Sequence, residues 1–105
     1  MRFLLRVSIP TDTGNELAIN GRLGSTLEAL LKDIKPEAAY FTEMDGERTA
    51  IIVVEMTDAS QIPAIAEPFF LALDAIVEFH PCMSPEDLNR AGPAIERAVA
   101  KYGAD

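Results

Sequence analysis

The dipeptide Asp45-Gly46 lies between two segments of strand-like sequence and constrains the fold more than any other feature of the chain. Both residues tolerate the positive φ angles of a type I′ turn, which joins two antiparallel strands through only two loop residues. We therefore predict one strand over residues 37–44 and another over residues 47–57. The second segment contains Ala50–Val54, a run that is apolar on both faces and favours a central position in a sheet.

Two more strands are predicted outside this hairpin. Residues 2–9 alternate with a period of two, and Pro10 ends the run because proline has no N–H to donate to a neighbouring strand. Residues 74–80 alternate in the same way and are followed by Pro81. The alternation predicts one apolar side of the sheet, made of Phe3, Leu5, Val7, Ile9, Ile52, Val54, Val77 and Phe79.

Helices are predicted between the strands, where apolar residues recur at spacings of three and four. The first stripe is Leu23, Leu27, Leu30, Leu31 and Ile34, and the second is Ile62, Ile65, Ala66, Phe69, Phe70 and Leu73. We expect a polar connection over residues 11–15. The first helix begins either at Glu16, if residues 17–19 belong to it, or near Gly24, where Ser25 and Glu28 can form a capping box. Asp58 with Gln61 predicts the beginning of the second helix.

A terminal helix is predicted after the last strand, beginning with Ser84 as the capping residue and Pro85 in the first turn. Its apolar stripe is Leu88, Ala91, Ile95, Val99 and Tyr102. Gly92 and Pro93 predict a kink within it.

The resulting order of elements is β, α, β, β, α, β and a C-terminal helix. With right-handed crossovers this order predicts a ferredoxin-like α+β fold whose four-stranded antiparallel sheet has the spatial order 4-1-3-2. The length of 105 residues suits a single domain over residues 1–105. Both long helices then cover one side of the sheet, and we call the other side the open face.

Composition disfavours several classes of partner. The net charge of −8 repels nucleic acids and anionic membrane surfaces, and we find no signal peptide or membrane span, so we expect a cytoplasmic protein. Cys82 is the only cysteine, so an internal disulfide is excluded and a zinc site is not expected. A domain this small also favours self-association.

The open face is predicted to carry the polar residues of the sheet. Arg6 and Ser8 of the first strand, Glu55 of the third, and Glu78 and His80 of the fourth all fall on it by alternation. Because the first strand lies between the third and fourth, we expect carboxylates from both neighbours to bracket Arg6. Tyr40 and Thr42 join this face in one register of the second strand, whereas Phe41 and Glu43 take their place if the register slips by one residue.

At this level the chain resembles the dimeric α/β-barrel superfamily, in which two ferredoxin-like sheets face each other through their bare sides. Three segments look like uncharacterised bacterial proteins of this kind: KPEAAYF over residues 35–41, DASQIPAIAEPF over residues 58–69 and VEFHPCMSPEDL over residues 77–88. The resemblance implies a homodimer. It does not imply one activity, since that superfamily includes monooxygenases, isomerases and haem-handling proteins.

The candidate catalytic residues are His80, as a general base, and Glu78 and Glu55, as an acid and base pair if dimerisation buries them. The candidate ligand-binding residues are Arg6, for an anionic group, with Tyr40 and Ser8. Each has a simpler interpretation: His80 as a polar residue at a strand end, the glutamates as surface charges matching Arg6, and Tyr40 as interface packing. Scattered carboxylates with one histidine do not predict a metal site, and no cofactor is expected.

We therefore expect a homodimeric α/β barrel that binds a small organic molecule, with cofactor-free proton transfer or oxidation as candidate chemistry. Whether the chain is an enzyme stays open. The alternatives are a non-catalytic module whose open face is a dimer interface and a domain that senses a ligand.

Overall fold

The computed structural model describes residues 1–104 of the chain. The strands are β1 (Arg2–Ile9), β2 (Ala38–Met44), β3 (Glu47–Glu55) and β4 (Ile76–Pro81). The helices are α1 (Thr11–Ile19), α2 (Leu23–Ile34), α3 (Ile62–Leu73), α4 (Pro85–Arg90) and α5 (Gly92–Tyr102), and a 3-10 turn over Ala59–Gln61 precedes α3.

The four strands form one antiparallel sheet in the order β2-β3-β1-β4, which is the predicted order 4-1-3-2 read from the other edge. This is an α+β fold consistent with the ferredoxin-like topology. β1 is a central strand that pairs with both β3 and β4, so the edges of the sheet are β2 and β4.

The hydrophobic core lies between the sheet and helices α2 and α3. Fully or nearly fully buried side chains on the sheet include Leu5, Val7 and Ile52, and α3 contributes Phe69 and Leu73. Cross-strand pairing joins Leu5 to Ile52 and to Phe79, so the predicted apolar side of the sheet is confirmed. Burial of these side chains supplies most of the favourable free energy of folding.

The turn between β2 and β3 has the predicted conformation. Asp45 has φ 55° and Gly46 has φ 81°, the two positive values that a type I′ turn requires. This turn sets the register of the hairpin, in which Tyr40 pairs with Ile51 and Thr42 with Thr49.

The region between β1 and α2 differs from the prediction. Thr11–Asn15 is not a polar connection but the first part of α1, which begins directly after Pro10. A break at Gly21, with φ 70°, separates α1 from α2. Ser25 is not a helix cap either, because α2 begins two residues earlier and the Ser25 hydroxyl donates to the carbonyl of Arg22 at 3.2 Å.

The two other capping predictions are confirmed. Asp58 accepts a hydrogen bond from the Ser60 amide, and the Gln61 side chain accepts from the Asp58 amide, which completes a capping box before α3. Ser84 and Asp87 form a second capping box at the beginning of α4. The predicted kink of the terminal helix is a division into α4 and α5 at Ala91.

Within residues 1–104, no helix combines the length and the apolar character that crossing a bilayer requires.

Candidate functional site

Cross-strand pairing arranges the open face in rows that run across the four strands. The middle row is Tyr40, Ile51, Arg6 and Glu78. The row on one side of it is Ala38, Val53, Leu4 and His80, and the row on the other side is Thr42, Thr49, Ser8 and Ile76. The predicted site residues therefore share one face, and the register that places Tyr40 rather than Phe41 there is the one observed.

Arg6 occupies the centre of the open face and is held by a carboxylate from the turn. Its Nη2 donates to Oδ2 of Asp45 at 2.6 Å, and its side chain is 28% exposed while that of Asp45 is 84% exposed. This hydrogen bond raises the pKa of the Arg6 guanidinium, and the charges of Glu78 and Glu47 raise it further. The pairing keeps a permanent cation at the middle of the sheet.

The Arg6 side chain crosses a neighbouring row to reach Asp45, because Ser8 and Thr49 lie between its own row and the turn. Both residues are buried although they lie on the open face: Ser8 is 8% exposed and Thr49 only 1%. The Nε atom of Arg6 is also buried, and no residue within 1–104 accepts a hydrogen bond from it. An unpaired buried N–H is unfavourable, so a rearrangement that brings an acceptor to this Nε would stabilise the Arg6 side chain.

Glu78 and His80 form an acid–imidazole pair beside Arg6. The two residues alternate along β4, and the distance between Nε2 of His80 and Oε1 of Glu78 is 3.0 Å. Both side chains are partly exposed, at 58% for His80 and 44% for Glu78. Glu78 is opposite Arg6 in the strand register, so the carboxylate that binds the imidazole also acts on the guanidinium through its charge.

Glu55 does not bracket Arg6, and this part of the prediction is wrong. It pairs with Arg2 at the other end of β1, about 13 Å along the strand from the Arg6 position. Its carboxylate accepts a hydrogen bond from the α-amino group of Met1, while Arg2 binds Glu37 at 2.9 Å. The error arises because alternation assigns a residue to a face but not to a position along it.

An apolar surface surrounds the charged residues. Leu4, Ile51 and Val53 are half-buried in the two central strands, while Tyr40 and Ile76 at the edges are 68% and 61% exposed. Tyr40 shares the row of Arg6 but lies two strands away, at about 10 Å. The open face thus combines an apolar floor with a group of charged residues that we call the Arg6 cluster: Arg6, Asp45, Glu78 and His80.

The sequence analysis does not predict two acidic residues whose charges act on Arg6. Asp45 was interpreted only as a turn residue, and no sequence pattern reports that its side chain reaches Arg6. Glu47 is detectable from the alternation of β3, because counting back by two from Glu55 places it on the same face.

Two clefts lie away from the Arg6 cluster. One of about 260 Å³ is lined by Phe3, Met56 and Ile62 among others, near the beginning of α3. The other, of about 200 Å³, lies between α2 and the edge strand β2 and is lined by Leu23, Leu27 and Phe41 among others. Neither of the two is lined by Arg6, Glu78 or His80.

No group of three or more His, Cys, Asp or Glu side chains with the arrangement of a metal site occurs among the residues that the structure describes. No protein-family model matches the chain, and no curated protein matches it in sequence.

Proposed function

We propose that two copies of the chain form a homodimeric α/β barrel, with their open faces opposed, and bind a small organic molecule between the sheets. The observation that carries this proposal is the Arg6 cluster, a fixed cation adjoining the Glu78–His80 pair, in the middle of a sheet face that no helix covers. Polar groups that converge on an otherwise apolar surface are typical of sites for small organic ligands.

The apolar floor supports association of two such faces. Leu4, Ile51 and Val53 are central in the sheet and half-buried only by their neighbours on the same face. Covering them removes apolar surface from water, and each side chain contributes about 1 kcal/mol if half of it becomes buried. A second open face supplies a matching apolar surface, as the symmetry of a homodimer requires.

The Arg6 cluster fits an organic acid better than a neutral molecule. Arg6 offers a guanidinium with one buried, unpaired N–H, and its present partner Asp45 lies on an exposed turn from which it can be displaced. The Glu78–His80 pair can hold or release a proton beside the bound anion. Enclosure between two sheets would strengthen both interactions, because it removes water from around the charges. Proton transfer is therefore the chemistry we propose.

Binding can be tested by thermal unfolding with a panel of small aliphatic and aromatic carboxylates. A ligand that binds only the folded state stabilises it by about 2.7 kcal/mol at a concentration of 100 times its Kd. We expect stabilisation of the unchanged chain and of the control Arg22→Met, whose arginine is exposed outside the sheet. Arg6→Met is expected to abolish the stabilisation, and His80→Gln to leave binding but remove exchange of a ligand C–H proton with solvent.

Stabilisation that persists in Arg6→Met would contradict the proposed site. The dimer is tested separately by light scattering, with Val53→Asp on the open face and Leu71→Asp, on the exposed side of α3, as its control. Val53→Asp is expected to produce monomers, and Leu71→Asp to leave the dimer intact.

A dimerisation module without a ligand is the second candidate. The ion pairs of the open face favour it, because Arg2, Arg6 and His80 each already have a carboxylate partner within the chain. A dimer that Val53→Asp disrupts but that no carboxylate stabilises would select this alternative.

A further inference from the structure

The segment α4–α5, which we call the C-terminal arm, extends away from the rest of the molecule. No residue of α5 is buried, and α4 is the element that it mainly contacts. The longest dimension of the structure is 59 Å and its radius of gyration is 17.8 Å, whereas a compact domain of this length has a radius of about 13 Å.

Helix α5 nevertheless has an apolar side, which is typical of a helix that packs against another apolar surface. Ile95, Val99 and Tyr102 follow one another at spacings of four and three and form one side, with exposures of 51%, 61% and 76%. Arg97 lies on the opposite side. An isolated helix of 11 residues is only marginally stable in water, so α5 requires an apolar surface to cover this side.

The groove between α2 and β2 is an exposed apolar surface that could cover the apolar side of such a helix. Phe41 belongs to the helix-covered side of the sheet, since it pairs with the buried Ala50, yet it is 55% exposed. With Leu23 and Leu27 it lines the cleft of about 200 Å³, which has room for aliphatic side chains.

The arm of the same chain leaves the fold far from this groove. β2 and β4 are the opposite edges of the sheet, and the arm follows β4. The Cys82 amide donates to the carbonyl of Arg2, so the arm departs near the first residue of β1, whereas the groove lies near Ile9, the last. The positions favour a groove on another molecule.

Charge favours a second copy of this chain as that molecule. Residues 1–83 contain 13 acidic and six basic side chains, so two such bodies repel each other. Residues 92–102 contain one acidic and two basic side chains. Within the arm, α4 carries Glu86 and Asp87 against Arg90, so α5 is the part with a net positive charge and the part that the acidic body of a second copy attracts.

We propose that the arm crosses to a second copy and packs Ile95, Val99 and Tyr102 into the groove lined by Leu23, Leu27 and Phe41 of that copy. Two-fold symmetry makes the exchange reciprocal, so each copy contributes one arm and one groove. This inference rests on the dimer proposed above and adds to it a contact outside the open faces.

The test combines one variant of the arm, Val99→Asp, with one of the groove, Phe41→Asp. Both positions are exposed in the single chain, so both variants are expected to fold, which circular dichroism checks. Each alone is expected to raise the Kd of the dimer by roughly tenfold to a hundredfold, because it puts a charge into both apolar contacts. Leu71→Asp is the control, since Leu71 is an apolar residue near the end of a helix and is even more exposed than Val99 and Phe41.

Mixing the two variants provides the decisive measurement. In a mixed dimer the intact arm of the groove variant meets the intact groove of the arm variant, so one of the two contacts is restored. When the variants are mixed in equal amounts, random pairing gives about twice as many mixed dimers as dimers of either variant, and native mass spectrometry is expected to find a clear excess over this ratio. Mixed dimers in only the random proportion would overturn the inference, as would an unchanged Kd in Val99→Asp. If Val53→Asp separates the copies while Val99→Asp does not, the open-face dimer stands without the arm. A chain that is monomeric at every concentration overturns both proposals.

Discussion

The two sides of the sheet are built from the same strands but have different surroundings. In β1 and β3, Leu5 and Ile52 are completely buried under the helices, while their neighbours Leu4, Ile51 and Val53 on the open face are only half-buried. The side chains are of one chemical type, and only the covering differs. Folding of the single chain therefore uses one apolar side, and the apolar residues of the other side stay available for association.

The charged residues differ between the two sides as well. On the helix-covered side Arg48 lies at the beginning of β3 and donates to Asn15 of α1 at 3.0 Å, so its interaction joins two elements of the fold. On the open face Arg6 of β1 binds Asp45 of the turn between β2 and β3, within the sheet itself. The same residue type stabilises the fold on one side and presents a charge on the other.

Substitutions of two adjacent leucines, one on each side of the sheet, are expected to show the largest difference in stability between the two sides. Leu5→Ala is expected to lower the free energy of unfolding by about 2–5 kcal/mol, because it leaves a cavity in the core. Leu4→Ala is expected to lower it by about 1 kcal/mol at concentrations where the chain is monomeric, since only half of the side chain is buried. Urea unfolding measures both values, and equal losses would contradict the division into a packed and an open side. In the proposed dimer the loss for Leu4→Ala increases with protein concentration.

Substitutions of two glycines are expected to have effects of intermediate size on the free energy of unfolding. Gly46 has φ 81° and open space around it, so Gly46→Ala is expected to destabilise the fold by about 1–2 kcal/mol through the backbone alone. Gly14 lies on the helix-covered side, where an added Cβ would come within 2.7 Å of Nη1 of Arg48, the mobile end of a long side chain. Gly14→Ala is therefore expected to have a smaller effect on unfolding, offset by the better helix propensity of alanine. A larger loss in Gly14→Ala than in Gly46→Ala would contradict this ranking.

The smallest expected effect concerns pH and compares the body of the fold with the C-terminal arm. A backbone hydrogen bond from Ser60 holds the pKa of Asp58 below its ordinary value of 3.8, and one from Ser84 does the same for Asp87. A carboxylate with a lowered pKa stabilises the folded state above the ordinary pKa, and this contribution is lost as the pH falls through the folded-state value.

Asp58→Asn removes this titration from the body of the fold. We expect the variant to be less stable than the unchanged chain at neutral pH, and the difference to shrink as the pH falls below 3.8. Asp87→Asn is expected to leave global unfolding unchanged, because no residue of α4 is buried. Urea titrations at neutral and acidic pH measure both, and a constant difference for Asp58→Asn would show that its carboxylate contributes nothing through ionisation.

The strands and their order were predictable because each strand carries its own alternation and is bounded by proline or by the Asp45-Gly46 turn. Helix α1 was not predictable in the same way. It buries only Gly14 and Leu17, so it has no apolar stripe to detect, and its first residues are polar. Ser25 has the composition of a cap, but the packing of Leu23 extends α2 past it.

Alternation predicts on which side of the sheet the candidate site residues lie, but it does not predict where along the strands they lie. Alternation placed Arg6, Glu78 and His80 together, and pairing of β1 with β4 confirms that they are neighbours. The relative shift of β1 and β3 depends on the lengths of the connections between them, which is why Glu55 was expected beside Arg6 and lies beside Arg2. The Asp45 contact depends on three-dimensional packing of a turn over a strand, which a linear pattern does not encode.

The central position of β1 has a consequence for synthesis on the ribosome. β1 is translated before both strands that flank it, and its pairing with β4 joins residues such as Val7 and Val77 that are far apart along the chain. In the nascent chain both edges of β1 are therefore unpaired until β3 has left the exit tunnel, and the edge that faces β4 stays unpaired until the last strand follows. Such a chain depends on chaperones, or on early contact with α2, to avoid aggregation before the sheet closes.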